Sequence, residues 1–159
     1  SLFKLYPWED LFSDRFGPAI ATSGTLFVEP PWKALLSNKG MLALLWEQHT
    51  GHPNLLPTFI DPSPERALAR GWVRKPFFSR EGANVQIHTH EGQRLTQDGP
   101  YGSGPQVVQQ FHGLAQFAGN HTVIGSWMVG DQPAGIGIRE DNSLITKDSS
   151  RFVPHAIIG

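Results

Sequence analysis

Apolar positions recur at helical spacing in the first part of the chain and alternate with polar ones in the second, and the switch falls near Trp72. Residues 2–6 read as a short strand. A helix follows, with Pro7 in its first turn and Glu9 and Asp10 placed to favour its N-terminal dipole. Trp8, Leu11, Phe12 and Phe16 can share one face of that helix, and Gly17-Pro18 stops it. Residues 26–28 form a candidate strand cut off by Pro30-Pro31. Ser37 or Asn38 can cap a helix over 39–48, whose apolar positions are Met41, Leu42, Leu44 and Leu45. A loop over 50–57, an extended stretch near 56–60 and a helix over 64–70 come next. Strands are then expected over 72–75, 84–90, 106–111, 122–129 and 135–138, separated by glycine-rich loops. In the second of these, Val85, Ile87 and Thr89 face one way and Gln86, His88 and His90 the other. Helices first and an antiparallel-looking sheet afterwards predict an α+β domain.

Composition narrows the picture. The 159 residues include 17 Gly and 13 Pro, well above the roughly 7% and 5% of average usage. A helix bundle or coiled coil is therefore excluded, since those need long runs free of both. Hydrophobic residues make up 39% of the chain, with five Trp and ten Phe, which is a foldable and not a disordered composition. The formal net charge of −1 lacks the basic excess of a nucleic-acid binder. Cysteine is absent, so disulfides, thiolate–metal sites and a thiol nucleophile are excluded. The longest apolar run, Met41 to Trp46, is far shorter than the ~20 residues of a membrane span. No membrane partner, no secretory segment and a cytoplasmic location are expected. The chain opens on Ser1 and not on Met, which suggests processing or an excised part of a longer protein.

Candidate chemistry concentrates around one loop. In Val73-Arg74-Lys75-Pro76-Phe77-Phe78-Ser79-Arg80-Glu81-Gly82-Ala83-Asn84 a lysine ends a strand and a loop with Arg80 and Gly82 follows. Such a loop can fold over phosphates, with close backbone approach at glycine, amide donors and two cations. It is not a P-loop, because no Gly-x-x-x-x-Gly-Lys-Ser/Thr is present. An exposed hairpin with solvated cations is the plainer alternative. Gln109 and Gln110 close a strand, where an amide can read an adenine edge or simply meet water. Arg139 ends another strand and either stabilises phosphoryl charge or pairs with Glu140 or Asp141. His88 and His90 have metal-ligand spacing on a strand and, with Gly82, resemble the first cupin motif. The carboxylate and second motif of that family do not follow, so a metal site lacks ligands, and none is assigned.

Taken in order, these blocks resemble the glutathionylspermidine synthase family. They are Glu29-Pro30-Pro31-Trp32-Lys33 with Ser37-Asn38-Lys39, then Leu44-Leu45-Trp46. The Lys75 and Arg80 blocks follow, then Val107-Val108-Gln109-Gln110-Phe111, and last Ala134-Gly135-Ile136-Gly137-Ile138-Arg139 with Asp141. The resemblance implies the C-terminal portion of a circularly permuted ATP-grasp synthetase domain over residues 1–159, closest to short bacterial members without an amidase domain. It implies ATP-dependent ligation, in which a carboxylate becomes an acyl phosphate and an amine then attacks to give an amide, ADP and phosphate. The acid is a peptide thiol of glutathione type and the amine a polyamine in the best-known members.

Carried over residue by residue, the resemblance makes Lys33 and Lys75 phosphate contacts. Arg80 and Gly82 belong to the phosphate-covering loop, and Gln109, Gln110 and Phe111 line the adenine end. Arg139 and Arg80 are the expected catalytic residues at the transferring phosphoryl group. The family's Mg²⁺ ligands, an Asp and a Glu-x-Asn, belong to a segment upstream of these blocks. Glu140-Asp141-Asn142 stands after Arg139, in the wrong place for them. The expected partner is therefore the upstream half of the same domain, which would also carry much of the substrate recognition. Two other classes remain open: a non-catalytic β-rich module binding peptide or sugar through Trp72 and Trp127, and a His-ligated metal enzyme on a β-barrel.

Overall fold

The computed structural model describes residues 1–60, 68 and 71–158. It is an α+β arrangement of short helices and three sheets. β1 (Leu2–Phe3) and β2 (Phe27–Val28) pair in parallel, and α1 (Trp8–Ser13) lies between them in sequence. Trp8 is buried, stacks on Phe12 at 5.3 Å and meets Phe27 at 5.2 Å, which fixes α1 to β2. β1 is shorter than the pattern predicts because Lys4 turns inward: its ammonium donates to the Tyr6 carbonyl, pairs with Glu29 at 2.8 Å and lies over the Trp8 ring. Gly17-Pro18 does more than end a helix. It opens a 3-10 helix over Gly17–Thr22, and Phe16 is left exposed, off the buried face expected for it.

A second 3-10 turn, Pro31–Lys33, runs into α2 (Ala34–Ser37), which the apolar pattern did not reveal. The helix expected over 39–48 is α3 (Gly40–Gln48). The Asn38 side chain accepts the Gly40 amide at 2.8 Å, so one of the two residues expected to cap this helix meets its first turn. The helix expected over 64–70 lies, apart from Leu68, outside the described residues.

The larger sheet is antiparallel, in the order β3 (Thr58–Phe59), β7 (Gln106–Gln110), β4 (Trp72–Pro76), β5 (Gln86–His88), β6 (Arg94–Thr96). β4 is the middle strand, with β7 beside it, and Val107 and Val108 are the most buried side chains of β7. The smaller antiparallel sheet runs β11 (Arg151–Val153), β10 (Gln132–Asp141), β9 (Asn120–Val129), β8 (Gln116–Phe117). Its centre is a long β9–β10 ribbon with a bulge between Pro133 and Gly135. After β10 the chain returns to the larger sheet. Ile145 joins Ile87 and Phe111 in the core, with Val73, Val85, Leu95 and Leu144 packed around them. That return is what brings the β10 end of the chain over the β4–β5 loop.

Candidate functional site

Cross-strand register assembles the site. Val73 stands opposite Gln109 on β7 and opposite Ile87 on β5, and Thr58 on β3 is also opposite Gln109. Side chains opposite one another share a face of the sheet, so Thr58, Gln109, Val73 and Ile87 form a row, with Lys75 two residues along β4 from Val73. A cleft of about 370 Å³ opens on this face. Lys75, Gly82, Gln109, Gln110 and Phe111 line it, together with residues of the returning segment 144–146. Residues as far apart in sequence as Lys75 and Thr146 thus meet around one cavity, because β4 and β7 are neighbours and the chain returns after β10.

Polar partners inside the cleft are specific. The Lys75 ammonium donates to the Gln109 side-chain oxygen Oε1 at 2.8 Å, and Gln109 Nε2 donates onward to the Thr58 hydroxyl at 3.0 Å. Thr58 donates in turn to the Leu56 carbonyl at 2.9 Å. Among the described residues Lys75 has no carboxylate partner. Burial lowers its pKa from the ordinary lysine value to about 8, and the nearby Lys39 charge adds to that shift. Lys39, in the turn before α3, donates to the Ser79 carbonyl at 2.7 Å and to the Ser79 hydroxyl at 3.1 Å. Its pKa is lowered by burial first and by the Arg80 charge next, while Glu9 works in the opposite direction.

The β4–β5 loop is tightly folded. Glu81, Gly82 and Asn84 all have positive φ. The Ala83 amide donates to the Arg80 carbonyl at 2.9 Å, and the Asn84 side chain accepts the Tyr101 amide at 2.7 Å. Close approach at Gly82 is made by protein: an added Cβ would strike the Ile145 side chain and lie 2.7 Å from the Thr146 carbonyl oxygen. Arg80 points at α1, where it pairs with Glu9 and lies 3.7 Å from Asp10.

The remaining residues singled out in the sequence stand apart from the Lys75 cleft. Lys33 is exposed in the Pro31–Lys33 turn, where its charge acts on Glu29. Arg80 lines a second cleft of about 510 Å³ with Tyr101, Asp98, Lys147 and Asp148. Arg139 braces the returning segment: its guanidinium donates to the carbonyls of Lys147, Asp148 (3.3 Å) and Ser150 (3.5 Å), and lies 5.0 Å from the Phe152 ring centre. Its cross-strand neighbour Val123 does line the Lys75 cleft. The residue that reading the sequence missed is Lys39. Its signal was there, a lysine after a helix-capping Asn in a block already singled out, but only the fold reveals that it reaches the β4–β5 loop.

His88 and His90 do not form a pair of ligands facing one way. β5 ends at His88, whose ring lies 5.7 Å from that of Trp72. The chain then turns, with the Gly92 amide donating to the Thr89 carbonyl, and His90 packs edge-on against Phe111 at 5.3 Å. Asp141 accepts the Ser150 hydroxyl at 2.5 Å and the Ser143 amide at 2.8 Å, and the Ser150 contact holds its carboxyl below the usual range. Among the described residues no three His, Asp or Glu side chains are grouped to hold a metal ion, so these residues do not fit a Mg²⁺ site of their own. Among them, too, no helix is long and apolar enough to cross a membrane.

The chain as a whole matches the family model described as glutathionylspermidine synthase preATP-grasp, over residues 1–158, and it belongs to that family. Among individual proteins it is 42% identical to a putative acid–amine ligase of Haemophilus influenzae, over 99% of this chain and 42% of that protein. It is 37% identical to the trypanothione synthetase of Crithidia fasciculata, over 96% of this chain and 27% of the relative. To the bifunctional glutathionylspermidine synthetase/amidase of Escherichia coli it is 28% identical, over 84% and 22%. The chain therefore spans between a fifth and somewhat over two-fifths of the length of these curated relatives, all of them named as ligases or synthetases.

Proposed function

We propose that this chain supplies the nucleotide-binding part of an ATP-dependent acid–amine ligase. The observation that carries the reading is the cleft in which Lys75, Gln109, Gln110 and Phe111 converge, with a lysine ammonium held in a partly desolvated place and, among the described residues, no counter-carboxylate. An unbalanced buried cation is costly unless an anion arrives. A phosphate chain is such an anion, and a flat apolar ring with an amide edge beside it suits a purine. Lys75 and Lys39 together would hold the phosphates. Gln109, already fixed by Thr58 and Lys75, and Gln110 would meet the base beside Phe111.

ATP supplies the activation: its γ-phosphoryl group passes to a carboxylate oxygen, and an amine nitrogen then displaces phosphate to leave an amide. Catalysis of that kind is mostly positioning and charge neutralisation. Arg80 lines the neighbouring cleft, and its charge, which is felt at Lys39, would act on the phosphates from the β4–β5 loop. Arg139 acts on the transferring group directly or, as its contacts favour, by fixing segment 147–150 beside it. Lys33, exposed beside Glu29, has a weaker claim than Lys39. A thiol peptide as the acid and a polyamine as the amine follow the names of the relatives. Mg²⁺, the remainder of the substrate site and a cytoplasmic setting belong to the same proposal, the metal being held by residues outside this chain. Lys75→Ala in the full-length polypeptide is expected to abolish ATP turnover while the circular dichroism of the folded protein stays the same. Wild-type turnover by a folded Lys75→Ala protein would refute the assignment.

A further inference from the structure

A carboxylate on the short helix α1 sits within the cationic cluster of the site. Glu9 is 71 residues from Arg80 in sequence, its side chain is only 11% exposed, and it pairs with the Arg80 guanidinium. Its charge also reaches Lys39, opposing the effect of Arg80 there. α1 is no loose segment: the buried ring of Trp8, the residue just before Glu9, is held by Phe12, Phe27 and the Lys4 ammonium. Arg80, by contrast, belongs to a loop whose own hydrogen bonds fix the backbone, and its long side chain has many rotamers from which a partner must choose. A rigid carboxylate against a flexible cation does one thing well: it selects a rotamer.

We propose that Glu9 is the positioning residue for Arg80. It engages one edge of the guanidinium so that the remaining N–H groups are presented to the phosphates, much as a helix glutamate orients the phosphate-contacting lysine in protein kinases. The inference rests on the nucleotide reading of the Lys75 cleft. Glu9 touches no substrate and acts only through Arg80, whereas Asp10 at 3.7 Å is a looser second partner. The sign is informative. Simple Coulomb repulsion predicts that removing Glu9 tightens phosphate binding, while positioning predicts that it weakens.

The test is a double-mutant cycle on Mg-ADP affinity, measured by calorimetry in the full-length polypeptide for wild type, Glu9→Gln, Arg80→Ala and the double variant. Equal unfolding temperatures check the fold. Glu9→Gln is expected to weaken binding about fivefold, the upper range of a single ion pair, and Arg80→Ala more. In the Arg80→Ala background Glu9→Gln is expected to change nothing. Effects that add, an unchanged Glu9→Gln affinity, or a tighter one would overturn the positioning role while leaving the nucleotide site standing. A folded wild-type protein that binds no Mg-ADP would overturn both, so the two failures are distinguishable.

Discussion

Lys75 sits where burial and a second lysine both oppose its charge, and its behaviour with pH follows from that. A lysine whose pKa falls on folding binds fewer protons in the folded than in the unfolded state between the two values. The folded form therefore carries a penalty below pH 8 that is relieved as pH rises from about 8 towards 10.5, so this group's contribution to stability increases across that window. Phosphate binding runs the other way, since it needs the ammonium. Mg-ADP affinity is expected to fall as pH passes 8, with proton uptake on binding near pH 8.5. Calorimetry in buffers of different ionisation enthalpy reads that uptake directly, and a proton count of zero would contradict a phosphate contact at Lys75. Gly82 makes the second prediction at this scale. With φ +73 and the Thr146 carbonyl so close, Gly82→Ala should cost about 1–3 kcal/mol, seen as a shifted denaturant midpoint. A neutral substitution would mean that segment 145–146 yields easily.

Elements were legible where one local signal dominated. α3 is a run of apolar residues behind Asn38, whose side chain accepts the Gly40 amide although Lys39 takes the cap position, and β4 and β7 are short runs bounded by turn residues, so each appears within a residue or two of its expected bounds. β6, β8 and β11 were not foreseen: they are three residues or fewer and exist because a longer partner strand offers them a ladder. That is a tertiary cause with no local trace. The site divides in the same way. Lys75, Gln109 and Gln110 lie on strands that pair, with Phe111 directly after them, so strand order alone joins them. Lys39 acts from a turn and Arg139 reaches across to a returning segment, and neither geometry is written in spacing. Asn38→Ala should lower stability by about 1 kcal/mol through loss of the contact to the Gly40 amide. Because Lys39 follows directly, the same change should also weaken Mg-ADP binding. A full stability loss with unchanged affinity would show that α3 and the site are uncoupled.

At the scale of the molecule, apolar surface is unevenly spread. Ile124, Met128 and Ile136 are exposed along the β9–β10 ribbon, and Leu2, Phe3 and Val28 on the small parallel sheet. A two-stranded parallel sheet is rarely left open, since parallel strands are ordinarily covered on both faces. The relatives are more than twice as long as this chain. Expressed as these 159 residues alone, the chain is expected to self-associate, with a weight-average sedimentation coefficient that rises with concentration. Ile124→Thr with Met128→Thr should reduce the rise. A concentration-independent monomer would show that these surfaces are not adhesive.

The central claim is that a nucleotide occupies the cleft around Lys75. Its most direct test is a calorimetric titration of Mg-ADP into the full-length polypeptide and into its Lys75→Ala variant at pH 7. Saturable binding is expected of the first and a loss of at least about tenfold in the second, the scale of one charge-assisted contact. Equal affinity in two folded proteins would place the nucleotide elsewhere.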